Sequence, residues 1–391
     1  MEQEIVFNRE ELEEEAEEDP PRQHRTHVYL TRKNYFDLSN KENFQRRFRL
    51  NKVQFLEIFN QIEPKIHMRQ WNKSIPLTIR LLVALRFYAT GCFLLVAADF
   101  TGISEKSAQQ IVHQISAAIS ELRPKYIKLP QTNGEIMRIT NDNFHLSGMI
   151  RVIGAIDCIH VQVKSYGGEN AELFRNRKGF FSLNVQCLVN SRLQFMDIVV
   201  RWPGSAHDNT IFENSRLKFR FDNFEFENGI ILGDRGYRNQ RYVITPLANP
   251  QTPAEVLYND AHIRTRCMVE RCFGVWGRRF PVLTIGSRFK TPERTMNVIM
   301  ATAILHNIIR RDKLHAKPGM ETYYNIPEVF SPTTENDRQF LINNYFSRAT
   351  VILYHCAHTL QSCGCPALAF KILSKLLNKI MYNNSENSPS M

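Results

Sequence analysis

Apolar residues recur at helical spacing in the first third of the chain. Order is predicted to begin near Ser39, because residues 39–42 have the sequence of a capping box. From there to about Arg123 the pattern predicts helices, and Pro124 is predicted to end the last of them. The best-defined helices are predicted at residues 79–87, 93–100 and 105–122.

The second and third of these helices have the outline of a helix-turn-helix. Residues 102–104 (Gly-Ile-Ser) separate them, and Ser104 is a suitable N-cap for the helix that follows. The polar face of that helix carries Lys106, Gln109 and Gln110, which are candidates for reading DNA. An ordinary helical hairpin has the same outline, so packing alone is an equally good interpretation.

After residue 149 the pattern changes from helices to strands. Residues 152–163 are β-branched and apolar on both faces, which is typical of a central strand. The order of three strands, helix, strand, strand and helix predicts an α/β domain with a mixed sheet flanked by helices. The further strands are predicted at 180–189, 195–200, 229–234 and 243–247, and the helices at 208–217, 261–280 and 297–310.

Composition and charge narrow the class of protein. The 391 residues are 43% hydrophobic and 23% charged, which is typical of a globular chain. The net charge is +11, and residues 1–19 contain ten carboxylates and one arginine, so the rest of the chain carries +20. Such a charge favours a polyanionic partner, first nucleic acid and then an anionic membrane. Eight irregularly spaced cysteines, with no secretory or membrane-spanning pattern, predict free thiols in a reducing compartment.

Three acidic residues stand out because small or apolar residues surround them. Asp157 lies inside an apolar strand, and Asp234 closes another one. Converging carboxylates need a counter-charge, and a divalent cation bound by oxygen ligands supplies it. A buried ion pair with an arginine, or a turn aspartate before Arg235-Gly236, remains an open alternative. The third acid, Glu270, shares its predicted helical stripe with Ile263, Cys267 and Gly274, which predicts that Glu270 faces inward.

Asp208 is a fourth candidate, directly ahead of a predicted helix. An aspartate at this position is a common N-cap, so the structural interpretation is strong on spacing alone. His160 and His207 stand beside the acids in sequence and are predicted to pack near them rather than to bind metal. Hard cations prefer carboxylate oxygen to imidazole nitrogen.

Five segments, in this order and with compatible gaps, resemble the successive blocks of PIF/Harbinger-type transposases and of the nucleases domesticated from them. The resemblance covers about residues 40–347. The segments are 154–161 (GAIDCIHV), 176–186 (NRKGFFSLNVQ), 203–208 (PGSAHD), 232–237 (LGDRGY) and 269–274 (VERCFG).

The resemblance implies an RNase H-like catalytic core with a DDE acid set, preceded by a helical region with a helix-turn-helix. Matched by motif, Asp157, Asp234 and Glu270 would be the catalytic acids, and Asp208 would join them in binding the metal. The implied activity is a DNA endonuclease that uses two Mg²⁺ or Mn²⁺ ions. The implied partners are DNA and a Myb-like DNA-binding protein that recruits the nuclease and carries it into the nucleus.

The alternative is a DNA-binding or adaptor protein that keeps the fold but does not cut. Either way, Arg175, Arg177 and Lys178 are suited to holding the DNA backbone, although a solvated basic face would look the same.

The predicted organisation has four parts. They are a disordered acidic head (1–38), a helical domain (39–149) with its helix-turn-helix at about 93–122, a nuclease domain (150–310) and a C-terminal extension (311–391). A Cys/His cluster at residues 355–365 lacks a paired CxxC spacing, so zinc binding is not predicted there.

Overall fold

The computed structural model describes residues 32–66, 74–315 and 337–351. The predicted acidic head up to residue 31 and the Cys/His cluster of the tail lie outside these residues. The first group of helices comprises α1 (Tyr35–Leu38), α2 (Lys41–Phe48), α3 (Lys52–Ile62), α4 (Leu77–Thr90), α5 (Leu94–Thr101), α6 (Glu105–Ser120), α7 (Arg123–Tyr126) and α8 (Asn133–Ser147).

The second part of the chain forms the sheet and the helices around it. Its elements are β1 (Val152–Gln162), β2 (Ser182–Val189), β3 (Phe195–Pro203), α9 (Asp208–Glu213), α10 (Arg216–Asp222), β4 (Ile230–Leu232), β5 (Val243–Ile244), α11 (Pro253–Arg279), α12 (Val282–Ile285), α13 (Pro292–His315) and α14 (Asp337–Phe340), which continues into a π-helical turn at Leu341–Phe346.

The helical region begins slightly earlier than predicted. Asn34 caps α1 by accepting a hydrogen bond from the backbone N–H of Phe36, so Ser39 ends that helix instead of starting the next. Asn40 is the N-cap of α2, which makes the predicted Ser39 capping box wrong by one residue. Asparagine caps a helix as well as serine does, and the sequence places the two side by side.

The predicted helix-turn-helix outline is present in α5 and α6. Gly102 ends α5 in the left-handed conformation (φ +73°), which a residue with a side chain rarely adopts, and Ser104 caps α6. The apolar face of α6 packs between α4 and α13. Ser120 on α6 donates a hydrogen bond to the carbonyl of Asn297 on α13 at 3.0 Å. These contacts fix the helical region to the sheet domain, because Asn307 on α13 pairs with the backbone of β3 at Phe195.

A five-stranded mixed sheet forms the second part, in the order β3-β2-β1-β4-β5. The pairs β1–β2 and β2–β3 are antiparallel, whereas β1–β4 and β4–β5 are parallel. All eight residues of β2 are buried, as is expected of a strand covered on both faces. The mixed sheet with flanking helices confirms the predicted RNase H-like fold.

Three predicted helices need correction, and one of them, α13 (Pro292–His315), extends beyond its predicted range of 297–310 at both ends. Residues 208–217 form two helices rather than one, because Ser215 caps α10 and breaks the run. Helix α11 starts at Pro253, eight residues before its predicted start at residue 261. Thr252 and Glu255 form a complete capping box there, and Pro253 suits the first helical position.

The stretch that is most apolar in the sequence lies in α4 and α5. Gly91 separates the two helices and ends α4 with φ +63°. A Cβ at Gly91 would stand 2.7 Å from Ile285, so the close packing of α4 on α12 requires glycine. Among the described residues, no helix is long and apolar enough to cross a membrane.

Candidate active site

Asp157 and Asp234 are brought level by the parallel pairing of β1 with β4. Ala155 pairs with Leu232, and each aspartate follows two residues later, Asp157 within β1 and Asp234 just beyond the end of β4. The Asp157 side chain is 18% exposed, and its Oδ1 accepts a hydrogen bond from the backbone N–H of Cys158 at 2.8 Å. The register of the sheet therefore places both acids at one edge, as the sequence analysis predicted.

Asp208 joins them as the first residue of α9. Its Oδ1 accepts a hydrogen bond from Asn184 at 3.0 Å. A Cβ on Gly236 would stand 2.9 Å from Asp234 Oδ1 and 3.5 Å from Asp208 Oδ2, so the two carboxylates face the same small space. His207, not Asp208, occupies the N-cap position, and the N-cap interpretation of Asp208 is therefore wrong.

Asp234 also makes the turn contact that the sequence left open. Its Oδ1 accepts a hydrogen bond from the backbone N–H of Gly236 at 2.8 Å. This contact orients the carboxylate towards Gly236, because an aspartate commonly bonds the backbone two residues ahead. The turn role and the position beside Asp208 therefore coexist in one residue.

Glu270 reaches the site through an arginine. Arg266, one helical turn earlier on α11, donates from Nη1 to Asp157 at 3.1 Å and from Nη2 to Glu270 at 2.5 Å. The Arg266 side chain is 17% exposed and that of Glu270 is 52% exposed. The arginine ion pair that the sequence analysis left open for the buried acids is therefore present.

The predicted inward position of Glu270 is wrong. Ile263 is 49% exposed and Gly274 is exposed, so the stripe that they share with Glu270 lies towards solvent. The buried stripe of α11 instead contains Thr265, Met268, Val269, Cys272 and Trp276.

Asp157 has an incompletely neutralised charge. Burial, together with the nearby carboxylates of Asp234 and Asp208, raises the pKa of Asp157 to about 6. The backbone N–H of Cys158 and the Arg266 guanidinium act in the opposite direction without outweighing burial. Among the described residues, Arg266 is the one basic side chain recorded in contact with Asp157, Asp208, Asp234 or Glu270, so these carboxylates outnumber their bonded cation.

A buried polar network supports the acids from β2, and the sequence analysis missed it. Gln186 donates to the carbonyl of Asp208 at 3.2 Å and to the Tyr237 hydroxyl at 3.4 Å, which in turn lies 3.3 Å from Cys158 Sγ. Asn184 Oδ1 and Gln186 Oε1 are buried and have no hydrogen-bond partner among the described residues. The signal was available, because Asn184 and Gln186 alternate with apolar residues along an otherwise apolar strand.

The donor atoms suit a hard divalent cation, although the site is not preformed. Carboxylate oxygens of Asp208 and Asp234 face the small space beside Gly236, and Asp157 lies near enough for both carboxylates to raise its pKa. Within residues 32–66, 74–315 and 337–351, no group of three His, Cys, Asp or Glu side chains stands in metal-binding geometry. Holding an ion with both Asp157 and Glu270 therefore requires side chains to move, and Arg266 contacts both of them.

The two histidines near the acids contact protein groups or solvent. His160 Nδ1 lies 3.0 Å from the Ser182 hydroxyl, and burial lowers the pKa of His160 despite the nearby Asp208 carboxylate. His207 is exposed.

The predicted DNA-binding residues lie on two separate elements. In the loop before β2, Arg175 bonds Glu172 at 2.7 Å, which ties Arg175 into the loop itself, while Arg177 and Lys178 are exposed. On α6, Lys106 and Gln110 are exposed, and Gln109 is half-buried.

Comparison with known proteins identifies the family. Residues 156–307 match the family described as DDE superfamily endonuclease. The human protein named "Putative nuclease HARBI1" is 33% identical over 241 residues, which cover 61% of this chain and 69% of the human one. The chain belongs to the Harbinger-derived DDE nuclease family. The rat protein of the same name is likewise 33% identical.

A more distant relative of this chain is a plant protein. The Arabidopsis thaliana "Protein ALP1-like" is 22% identical over 302 residues, covering 72% of this chain and 73% of its own. No solved structure matches the chain. The DDE endonuclease match includes Asp157, Asp208, Asp234 and Glu270, so the predicted family is confirmed, and the four acids lie in its matched part.

Proposed function

We propose that the protein is a divalent-metal-dependent DNA endonuclease. The observation that carries the proposal is the convergence of Asp157, Asp208 and Asp234 at one edge of the sheet, with an under-compensated negative charge. Clustered carboxylates that lack matching cations do not stabilise a fold, whereas a cation site requires them. Membership of a DDE nuclease family supports the same conclusion.

Four residues would hold the ions: Asp157, Asp208, Asp234 and Glu270. Oxygen ligands favour Mg²⁺ or Mn²⁺. When bound, such ions activate a water molecule and neutralise charge on the phosphate that is cut. The catalytic acids would be Asp157, Asp234 and Glu270. Asn184 would keep Asp208 turned towards the site through its 3.0 Å hydrogen bond.

The basic surface of the chain would bind the DNA backbone. Arg177 and Lys178 are exposed in the loop before β2, and Lys106 with Gln110 is exposed on the second helix of the helix-turn-helix. Arg175 would contribute mainly by holding its loop through Glu172. Recruitment by a Myb-like protein and a nuclear location remain predictions from the resemblance.

The test is nicking of supercoiled plasmid in Mn²⁺ by the full chain. Asp157→Ala, Asp234→Ala and Glu270→Ala are each expected to lower the rate by at least about 100-fold, because each removes a proposed metal ligand. Asp260→Ala is the matched control, since Asp260 is an exposed acid on the same helix as Glu270. Nicking that survives Asp157→Ala unchanged would show that the nuclease proposal is wrong.

The adaptor alternative predicts a different result. In that case the wild type binds DNA with a steep salt dependence but does not nick it, and Asp157→Ala binds equally well. Nicking by the wild type separates the two functions, because an adaptor that keeps the acids can bind Mn²⁺ without cutting DNA.

A further inference from the structure

Arg266 stands between two of the proposed metal ligands. Its two terminal nitrogens bond different acids, Nη1 to Asp157 Oδ2 at 3.1 Å and Nη2 to Glu270 Oε1 at 2.5 Å. The fork of a guanidinium makes this double contact possible, and a lysine ammonium has no equivalent geometry. Arg266 is therefore the group that joins the α11 side of the site to the β1 side.

The position of Arg266 follows from local geometry. Arg266 and Glu270 are four residues apart on α11, so their side chains are neighbours on one face of the helix. Asp157 points from β1 towards that face and completes the bridge. The arginine is mostly buried, whereas Glu270 is 52% exposed, so water competes for one end of the bridge more than for the other.

Both oxygens of Asp157 already have partners. Oδ1 accepts the backbone N–H of Cys158 at 2.8 Å, and Oδ2 accepts the Arg266 guanidinium. A guanidinium at hydrogen-bond distance from Oδ2 repels a divalent cation that approaches the same carboxylate. Arg266 and a metal ion would therefore compete for Asp157 and Glu270.

We propose that Arg266 is an exchangeable counter-ion that closes the active site until a divalent cation displaces it from Asp157 and Glu270. The inference rests on the proposed function, because it concerns the same ligands. It adds a regulatory property: Arg266 weakens metal binding and so sets the metal concentration at which the site assembles. A purely structural arginine would have the opposite effect, since its loss would disorder the ligands and weaken binding.

The test is calorimetric titration of Mn²⁺ into the full chain without DNA. Arg266→Gln is expected to bind Mn²⁺ at least tenfold more tightly than the wild type. Arg271→Gln removes the same charge from an exposed position on the same helix, and its affinity is expected to stay within about twofold of the wild type. The difference between the two variants isolates the contact from the general change in charge.

Arg266→Lys is a second test, in case circular dichroism shows that the glutamine variant does not fold. A lysine keeps the charge but cannot bond both carboxylates, so we expect Mn²⁺ affinity several-fold above that of the wild type. Equal or weaker binding by both Arg266 variants would overturn the counter-ion role and leave the metal site standing. Absence of Mn²⁺ binding in every protein, wild type included, would overturn the metal site and the counter-ion role together.

Discussion

Two arginine–carboxylate ion pairs in this molecule have opposite electrostatic character. In the helical region, Glu57 on α3 accepts hydrogen bonds from Arg311 at 3.0 and 2.7 Å and from the Tyr126 hydroxyl at 2.7 Å. Arg311 is the main cause of a lowered Glu57 pKa. In the sheet domain, Asp157 also has an arginine, yet burial raises its pKa to about 6.

The difference lies in what surrounds each pair. Glu57 has a cation on both of its oxygens and a second one nearby in Lys125, so its charged form is favoured. Asp157 shares its single arginine with Glu270 and faces two further aspartates. The first arrangement stabilises the fold, while the second keeps a surplus of negative charge in place, which favours binding of a cation.

The largest expected effect is on plasmid nicking, which should depend on the Asp157–Arg266 pair and not on the Glu57–Arg311 pair. Asp157→Asn is expected to reduce plasmid nicking by at least about 100-fold while leaving the melting temperature equal or higher, because it removes an under-compensated charge. Glu57→Gln is expected to leave nicking within about twofold and to lower stability by about 1 kcal/mol, because Arg311 loses its carboxylate partner. Equal loss of nicking in both variants would contradict the distinction.

The second prediction concerns pH and is measured by urea unfolding in EDTA. The folded-state pKa of Asp157 (about 6) lies above its ordinary value of 3.8, so the folded protein binds this proton more tightly than the unfolded chain does. The stability it contributes is therefore present below about pH 4 and is lost as pH rises to about 6. As pH rises through this window, the free energy of unfolding of Asp157→Asn should increase relative to that of the wild type by up to about 3 kcal/mol.

Glu57 should show the opposite sign in the same experiment. Its pKa is lowered on folding, so its contribution is present above its ordinary value of 4.5 and is lost as pH falls below it. The amount by which Glu57→Gln is less stable than the wild type, measured as the free energy of unfolding, should therefore decrease at acid pH. Parallel pH profiles for the two variants would contradict the comparison.

The third prediction concerns the crowding of the acids. A methyl group on Gly236 would stand 2.9 Å from Asp234 Oδ1, so Gly236→Ala is expected to push the aspartates apart and lower nicking by about 10-fold. Gly274→Ala is the control, because nothing lies within 4 Å of a Cβ there. The control should keep its activity and gain about 0.5–1 kcal/mol from helix propensity. Similar nicking rates in the two variants would count against the shared space.

The smallest expected effect tests the stabilising pair alone. Tyr126→Phe removes a hydroxyl that donates to Glu57 and accepts from Gln61 at 2.6 Å. We expect a loss of about 1 kcal/mol in the free energy of unfolding, with nicking unchanged. A change in nicking would mean that this ion pair is coupled to the active site.

The positions of the acids on the sheet can be predicted from the sequence, because the apolar pattern of each strand shows where its acid lies. Asp157 interrupts an apolar strand and Asp234 follows the end of another, and parallel pairing brings them level. Glu270 was predicted on the wrong face because α11 is 27 residues long and packs on one side only. Ile263 is apolar, which suggested a buried stripe, but its side chain is exposed.

Contacts made across elements were beyond the sequence. Arg266 is 109 residues from Asp157, and only the packing of α11 on β1 brings the two together. Asn184 likewise reaches Asp208 from a neighbouring strand. Such partners depend on side-chain direction and on the distance between elements, which the spacing of residues along a chain does not determine.

The packing of α6 on α13 has a geometric consequence for any duplex that the protein engages. Ser120 joins α6 to α13, and Asn307 joins α13 to β3. The distance between Lys106 and Asp157 is therefore fixed by the packing of these elements. If α6 bound DNA as proposed, the cut would fall at a fixed number of base pairs from its contact, whereas a flexibly linked DNA-binding domain would give scattered cut positions.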